Sequence, residues 1–179
     1  MFYLSKGVLL AKHGDTLKIG CIGKTCTLSG KAAQLWTYAS KKVGRSMPPY
    51  VDALIQQGLI ETSEESNPLV AAYQILNRSV LYVMDNRPIQ ITLSPSCRRL
   101  LRWLARTTFP LSAADLVRIQ DLSLPESLYV REHNQEHLIA ALYQGIAPPL
   151  ETAMLDSPAF GATMIDLLTL VHDQYIRLL

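Results

Sequence analysis

Near the start of the chain, Leu17, Ile19 and Cys21 are interleaved with Thr16, Lys18 and Gly20. That two-residue period belongs to a half-buried strand. His13-Gly14-Asp15 reads as a turn back to a strand over Lys6 to Lys12. Gly23-Lys24 reads as a two-residue hairpin loop with glycine at the first central position. That loop would pair Ile22 with Thr25 and Cys21 with Cys26, and would put Cys21, Cys26 and Leu28 on one face. The opening stretch therefore predicts a three-stranded antiparallel meander.

From Ser29 the period changes to that of a helix. Ser29 is placed as N-cap, Ala32, Leu35, Trp36, Ala39 and Val43 form a stripe, and Gly44 closes it. A second helix is predicted over Pro48 to Gln57, with Val51, Leu54 and Ile55 inward and Gly58 at its end. Leu59 to Thr62 can run as a short strand, Ser63 to Asn67 as a polar turn, and Asn67-Pro68 starts a third helix through Leu76 or Asn77. Ser79 to Met84 and Arg87 to Thr92 read as strands around an Asp85-Asn86 turn. Ser94-Pro95 opens another helix. Ser112 caps the next, with Asp115 at its third position and Leu111 and Leu116 as a hydrophobic staple. Residues 122–134 show no clear period. Glu136 to Gly145 is helical, with Leu138, Ile139, Leu142 and Tyr143 inward, and Ile146-Ala-Pro-Pro ends it. Ser157-Pro158 caps a last helix predicted to run to Leu179. Phe160, Met164, Leu167, Leu168, Val171 and Tyr175 form its stripe, widened by Ile165, Leu170, Ile176 and Leu178. A helix so apolar packs on two sides or supports a homodimer through residues 158–179.

One string recurs. Thr27-Leu-Ser leads to Leu35 and Tyr38, and Thr92-Leu-Ser leads to Leu100 and Trp103, an offset of 65 residues. The expectation is an α+β protein of two small units, 1–79 and 80–145, each of short antiparallel strands and helices. Residues 146–179 would add an amphipathic packing or dimerisation helix. Trp36, Tyr38 and Trp103 lie on or beside helix stripes and are expected in the core.

The order helix, helix, Gly-Leu-Ile, polar turn resembles winged-helix domains over residues 27–66, and less closely over 88–145. In that resemblance Val51 to Ile60 corresponds to the end of a recognition helix running into the wing. It implies a non-enzymatic regulatory protein that binds double-stranded DNA. The strands followed by Leu28-Ser-Gly-Lys-Ala-Ala-Gln-Leu-Trp36 also resemble PqqD-like peptide-recognition domains, which implies a peptide added at a strand edge.

Charge complicates the DNA reading. Residues 1–60 carry eight Lys/Arg against two Asp, and residues 61–179 nine Arg against thirteen acids. DNA binding requires cations on phosphates and a helix reading base edges. The helix over Pro48 to Gln57 has no basic residue. Its candidate base readers are Gln56 and Gln57, and the wing stretch holds Glu61, Glu64 and Glu65. Candidate phosphate contacts lie elsewhere. Lys41, Lys42 and Arg45 cluster after the first helix, and Arg98, Arg102 and Arg106 fall at four-residue spacing with Arg99 beside them. The acidic wing favours the alternative, a protein- or peptide-binding module using a strand edge or the apolar face of helix 158–179.

Catalytic signatures are weak. His133-Asn-Gln-Glu-His137 matches the H-x-x-E-H zinc pattern, but a third ligand would have to come from the short remainder beyond a Pro-Pro break. Gly20-Cys-Ile-Gly-Lys-Thr25 mimics a P-loop, yet Lys18 stands where its first glycine belongs and a strand follows. Cys21, Cys26 and Cys97 form no disulfide framework or zinc spacing. No cofactor, metal or enzymatic activity is expected. No apolar run is long enough to span a bilayer, and a cytoplasmic location is the expectation.

Overall fold

The computed structural model describes residues 1–41, 43–45, 48–84, 92–125, 135–146 and 150–179. Strand β1 (Phe2–Ser5) precedes the meander β2 (Val8–His13), β3 (Thr16–Cys21) and β4 (Lys24–Leu28), paired in the order β2-β3-β4. Leu17 pairs with Leu28, Ile19 with Cys26 and Cys21 with Lys24. The hairpin loop is thus Ile22-Gly23, one residue earlier than predicted. Gly23 takes φ +74° at the second central position, where a residue with a side chain would be strained. The pairing slides by two residues, so Cys21, Cys26 and Leu28 still share a face, although Cys21 no longer opposes Cys26. In β2 the register shifts between Leu9 and Ala11. Such a bulge on an edge strand discourages pairing with another chain.

Helix α1 (Gly30–Ala39) buries Ala33, Trp36 and Ala39 and stops at Ser40. Gly44 does not close it. Instead Gly44 exchanges both backbone hydrogen bonds with Tyr3, at 3.1 and 2.9 Å. Helix α2 (Val51–Gln56) starts three residues later than predicted and ends, as expected, at Gly58, whose φ is +67°. Strand β5 (Ile60–Ser63) pairs antiparallel with β1, Phe2 opposite Ser63. Within the stretch expected as a wing, Glu61 makes ion pairs with Lys6 at 3.8 Å and Arg78 at 3.4 Å.

Asn67 caps α3 (Pro68–Asn77), its side chain accepting from the Leu69 and Val70 N–H groups. Then come β6 (Leu81–Val83), α4 (Pro95–Arg106), α5 (Ala113–Asp121), α6 (Gln135–Tyr143), α7 (Leu150–Leu155), α8 (Phe160–His172) and β7 (Ile176–Leu178). Ser94 and Ser112 cap α4 and α5 as predicted, and Asp115 completes the capping box. The second strand predicted over Arg87 to Thr92 lies, apart from Thr92, outside the described residues. The partner of β6 is β7, with Leu81 opposite Leu178. The last helix therefore does not run to Leu179. It ends at His172, and Gln174 at φ +64° turns the chain into a strand. Most of its wide apolar surface is taken up inside the chain. Phe160, Met164, Leu167, Leu170 and Val171 are buried, with α3, α4 and α5 packed around the helix.

Two apolar cores result. One gathers Leu17, Ile19, Leu28, Trp36, Leu54 and Ile60, and the other gathers the helices from α3 onward. By packing, α3 groups with the residues after 80, and residues 146–179 share one core with 80–145. Strand β1 divides the two cores, Tyr3 packing in the first and Leu4 in the second, because successive side chains point to opposite faces. The C-terminal segment ties them together. The Ser40 carbonyl accepts from Gln174 Nε2 at 2.9 Å and from the Arg177 guanidinium at 3.2 Å. The Trp36 indole donates to the Lys6 carbonyl at 2.8 Å, and Arg177 lies 5.7 Å from the Trp36 ring centroid. Trp36 and Trp103 are core residues as expected, whereas Tyr38 is 52% exposed. No helix among the described residues is long and apolar enough to cross a membrane.

Two buried acids and one half-buried acid give the fold an alkaline limit. Burial is the main force pushing the Cys97 thiol up to about 11; the Ser94 hydrogen bond opposes it and Asp166 adds to it. Burial, then Glu151 and Asp115, pushes Tyr73 up to about 12, and burial with Asp115 raises Tyr143 as well. The native state holds these protons more tightly than the unfolded chain, whose values are 9.0 for Cys and 10.0 for Tyr. Their contribution is complete below pH 9.0 and is lost as pH rises through those windows. We expect urea midpoints to be insensitive to these groups up to pH 8.5. Above pH 9 stability should fall by about 1.4 kcal/mol per pH unit for each group titrating. A flat profile to about pH 11 would contradict this assignment.

Candidate binding groove

Helix α8 buries one face and leaves another outward. Ile165, Leu168, Thr169 and His172 follow i, i+3, i+4, i+7 spacing, so they share a side. Across from them stand Leu4 of β1, Lys41, Val43 and Arg45 of the segment after α1, and Pro68 and Leu69 at the start of α3. Together they enclose an open groove of about 490 Å³. Its base is apolar, with Leu4 and Val171 fully buried, and Ile165 on its wall is 57% exposed.

The Tyr3–Gly44 bridge shapes this groove. A Cβ on Gly44 would stand 2.0 Å from the Tyr3 ring, so only glycine allows the two backbones to meet. The bridge holds Val43 and Arg45 on either side of Gly44, both lining the groove. The rim carries two cations, Lys41 and Arg45, beside the imidazole of His172, and all three are exposed. The Arg45 guanidinium lies 5.8 Å from the Phe2 ring centroid, and His172 Nδ1 is 3.3 Å from the Lys41 carbonyl oxygen. Asp173 Oδ1 lies 3.9 Å from the imidazole Nε2.

Of the residues predicted from sequence, Lys41 and Arg45 therefore meet the outer face of the last helix, and Lys42 lies outside the described residues. Gln56 and Gln57 are exposed at the end of α2, away from the groove, and the Gln57 carbonyl accepts from Lys24 Nζ. On α4, Arg98, Arg99 and Arg102 are half-buried and Arg106 is exposed. Arg99 donates to the Leu124 carbonyl, and Arg102 Nε donates to the Arg98 carbonyl at 3.3 Å. Arg99 is thus a structural tie from α4 to the chain beyond α5. The start of α4 abuts Asp166, through Cys97 Sγ at 3.1 Å and Ser94 at 3.5 Å. Around α8, Asp166 points roughly 120–160° away from Leu168 and His172. The start of α4 and the segment carrying Lys41 and Arg45 accordingly meet different sides of that helix.

Sequence reasoning missed Leu4, Val43, Leu69 and His172 as lining residues. The available signal was the apolar width of the last helix, with Ile165 outside the stripe that included Leu168. Of the zinc-like pair, His133 lies outside the described residues and His137 is exposed on α6. The P-loop-like stretch is the β3–β4 hairpin. No protein-family model matches the chain, and no curated protein or solved structure matches it either.

Proposed function

We propose that this protein is a non-enzymatic binding module that receives an acidic, amphipathic peptide segment of a partner protein in the groove beside α8. One observation carries the reading: the exposed Ile165 and half-buried Leu168 of α8 border a trough whose rim is formed by Lys41, Arg45 and His172. Apolar surface of this kind, edged by charge, suits an amphipathic helix or extended segment. Acidic residues on the ligand would complement the rim.

A second reading, regulatory DNA binding, draws on the stripe of Arg98, Arg102 and Arg106. It finds less support in α2, which is six residues long and lacks Lys and Arg. Fluorescence anisotropy separates the two, using a labelled Leu/Glu amphipathic peptide, its Leu/Lys counterpart and a random DNA duplex at low and high salt. The Leu/Glu peptide is expected to bind best. Ile165→Glu, on an exposed position, should weaken it about tenfold or more without altering the circular dichroism. Salt-sensitive duplex binding that Arg98→Ala/Arg102→Ala weakens, with no peptide binding, would replace this proposal by the DNA reading. A dimer that Ile165→Glu dissolves would make the occupant a second copy of the chain.

A further inference from the structure

Lys41 lines two troughs, the groove beside α8 and a second one, of about 630 Å³, along α1. Gln34, Thr37, Tyr38 and Lys41 border the second trough. Their i, i+3, i+4, i+7 spacing puts them on one side of the helix, and all four are exposed. The Lys41 N–H donates to the Tyr38 carbonyl at 3.1 Å, so the helical turn continues to that residue. The β2–β3 hairpin adds Lys12, Asp15 and the buried Leu17 to the lining.

Helix α8 presents Ile165, Leu168, Thr169 and His172 at the same spacing, and the two stripes end against each other. His172 Nδ1 lies 3.3 Å from the Lys41 carbonyl oxygen, and Gln174 Nε2 donates to the Ser40 carbonyl at 2.9 Å. The C-terminal ends of α1 and α8 are thus fastened together, and the two troughs meet at Lys41. With a rise of 1.5 Å per residue, each stripe is about 10 Å long. An extended chain covers about 3.3 Å per residue, so about three residues fill each stripe. Charge favours one kind of occupant along the whole path. Among the described residues of both linings, the cations Lys12, Lys41 and Arg45 stand against one acid, Asp15. None of these cations is paired with a carboxylate among the described residues. Tyr38 adds an exposed ring for an apolar side chain.

Resting on the reading of the groove as a peptide site, we infer that the partner segment continues past Lys41 into the α1 trough as an acidic extension. Its carboxylates meet Lys12 and Lys41, and an apolar side chain lies against Tyr38. Fluorescence anisotropy of the full chain tests this at about 0.15 M salt, where distant charges are screened. It compares the labelled Leu/Glu amphipathic peptide with versions carrying Glu-Leu-Glu-Glu or Lys-Leu-Lys-Lys at either end. One Glu-extended version should bind about tenfold tighter than the parent, and no Lys-extended version should. Lys12→Glu should abolish that gain and Tyr38→Ala should cut it about threefold, both leaving the parent peptide's affinity unchanged. Lys18→Glu, exposed on the face of β3 opposite to Leu17, should leave the gain intact. Circular dichroism verifies that each variant is folded. Equal binding of parent and Glu-extended peptides, or a gain that Lys18→Glu removes as fully as Lys12→Glu, would overturn the extension and leave the groove reading standing. No binding of any peptide would overturn both. Duplex binding that Lys12→Glu weakens, without peptide binding, would assign the trough to nucleic acid instead.

Discussion

Replacing Gly44 by alanine is expected to destabilise the protein by about 3 kcal/mol or more, at the upper end of what overpacking costs. The added methyl carbon would meet three atoms of the buried Tyr3 ring, at 2.0, 2.3 and 2.5 Å. The ring cannot retreat, since Tyr3 is 2% exposed within the first core. The backbone bridge must therefore open, and Val43 and Arg45 would lose their place beside the groove. A double-mutant cycle with Tyr3→Ala measures this directly. In the Tyr3→Ala background the Gly44→Ala cost should shrink by more than about 1 kcal/mol, because the clash is gone. Full additivity in urea denaturation would show that the close approach does not determine stability.

The second large effect concerns Trp36. Trp36→Ala should cost about 3–5 kcal/mol from the cavity alone. It would also leave the Lys6 carbonyl without its indole donor and remove the ring beneath Arg177. Damage should spread beyond the first core, because Arg177 anchors β7 to the end of α1. Amide exchange reads that spread. Protection at Leu178 should fall together with protection in α1, whereas Trp103→Ala, of similar cavity size within the second core, should leave α1 less affected. Equal exchange patterns in the two variants would contradict the coupling through Arg177.

The comparison of letters with burial shows where sequence reasoning reached. Caps were readable because they are local: Asn67, Ser94 and Ser112 each bond a backbone N–H two or three residues ahead. The meander was readable for the same reason, save for the placement of Gly23. The repeat was less reliable. Letters align Tyr38 with Trp103, 65 residues apart, yet Tyr38 is exposed and Trp103 buried. Burial aligns Ala33 with Cys97, Trp36 with Leu100 and Ala39 with Trp103, each 64 apart and each pair buried. A similar entry string thus presents a different helix face. Gly44 looked like a helix end because glycine often is one; its actual role depends on Tyr3, a partner that no local pattern reveals. The groove was half legible. Lys41 and Arg45 stood out as charge, and Ile165 as apolarity beyond the stripe, but their meeting depends on long-range packing.

The partnership of β7 also bears on the order of events during synthesis. Leu178 is joined to Lys6 by a bridge and to Leu81 in a ladder, so it fastens to residues made 172 and 97 positions earlier. A ribosome extends a chain at about 5–20 residues per second. While the last hundred residues emerge, β6 has no ladder partner among the described residues and its edge stays open. Native closure must therefore come late, and contacts so distant in sequence slow folding. During that interval β6 presents an unpaired strand edge, open to pairing with another chain.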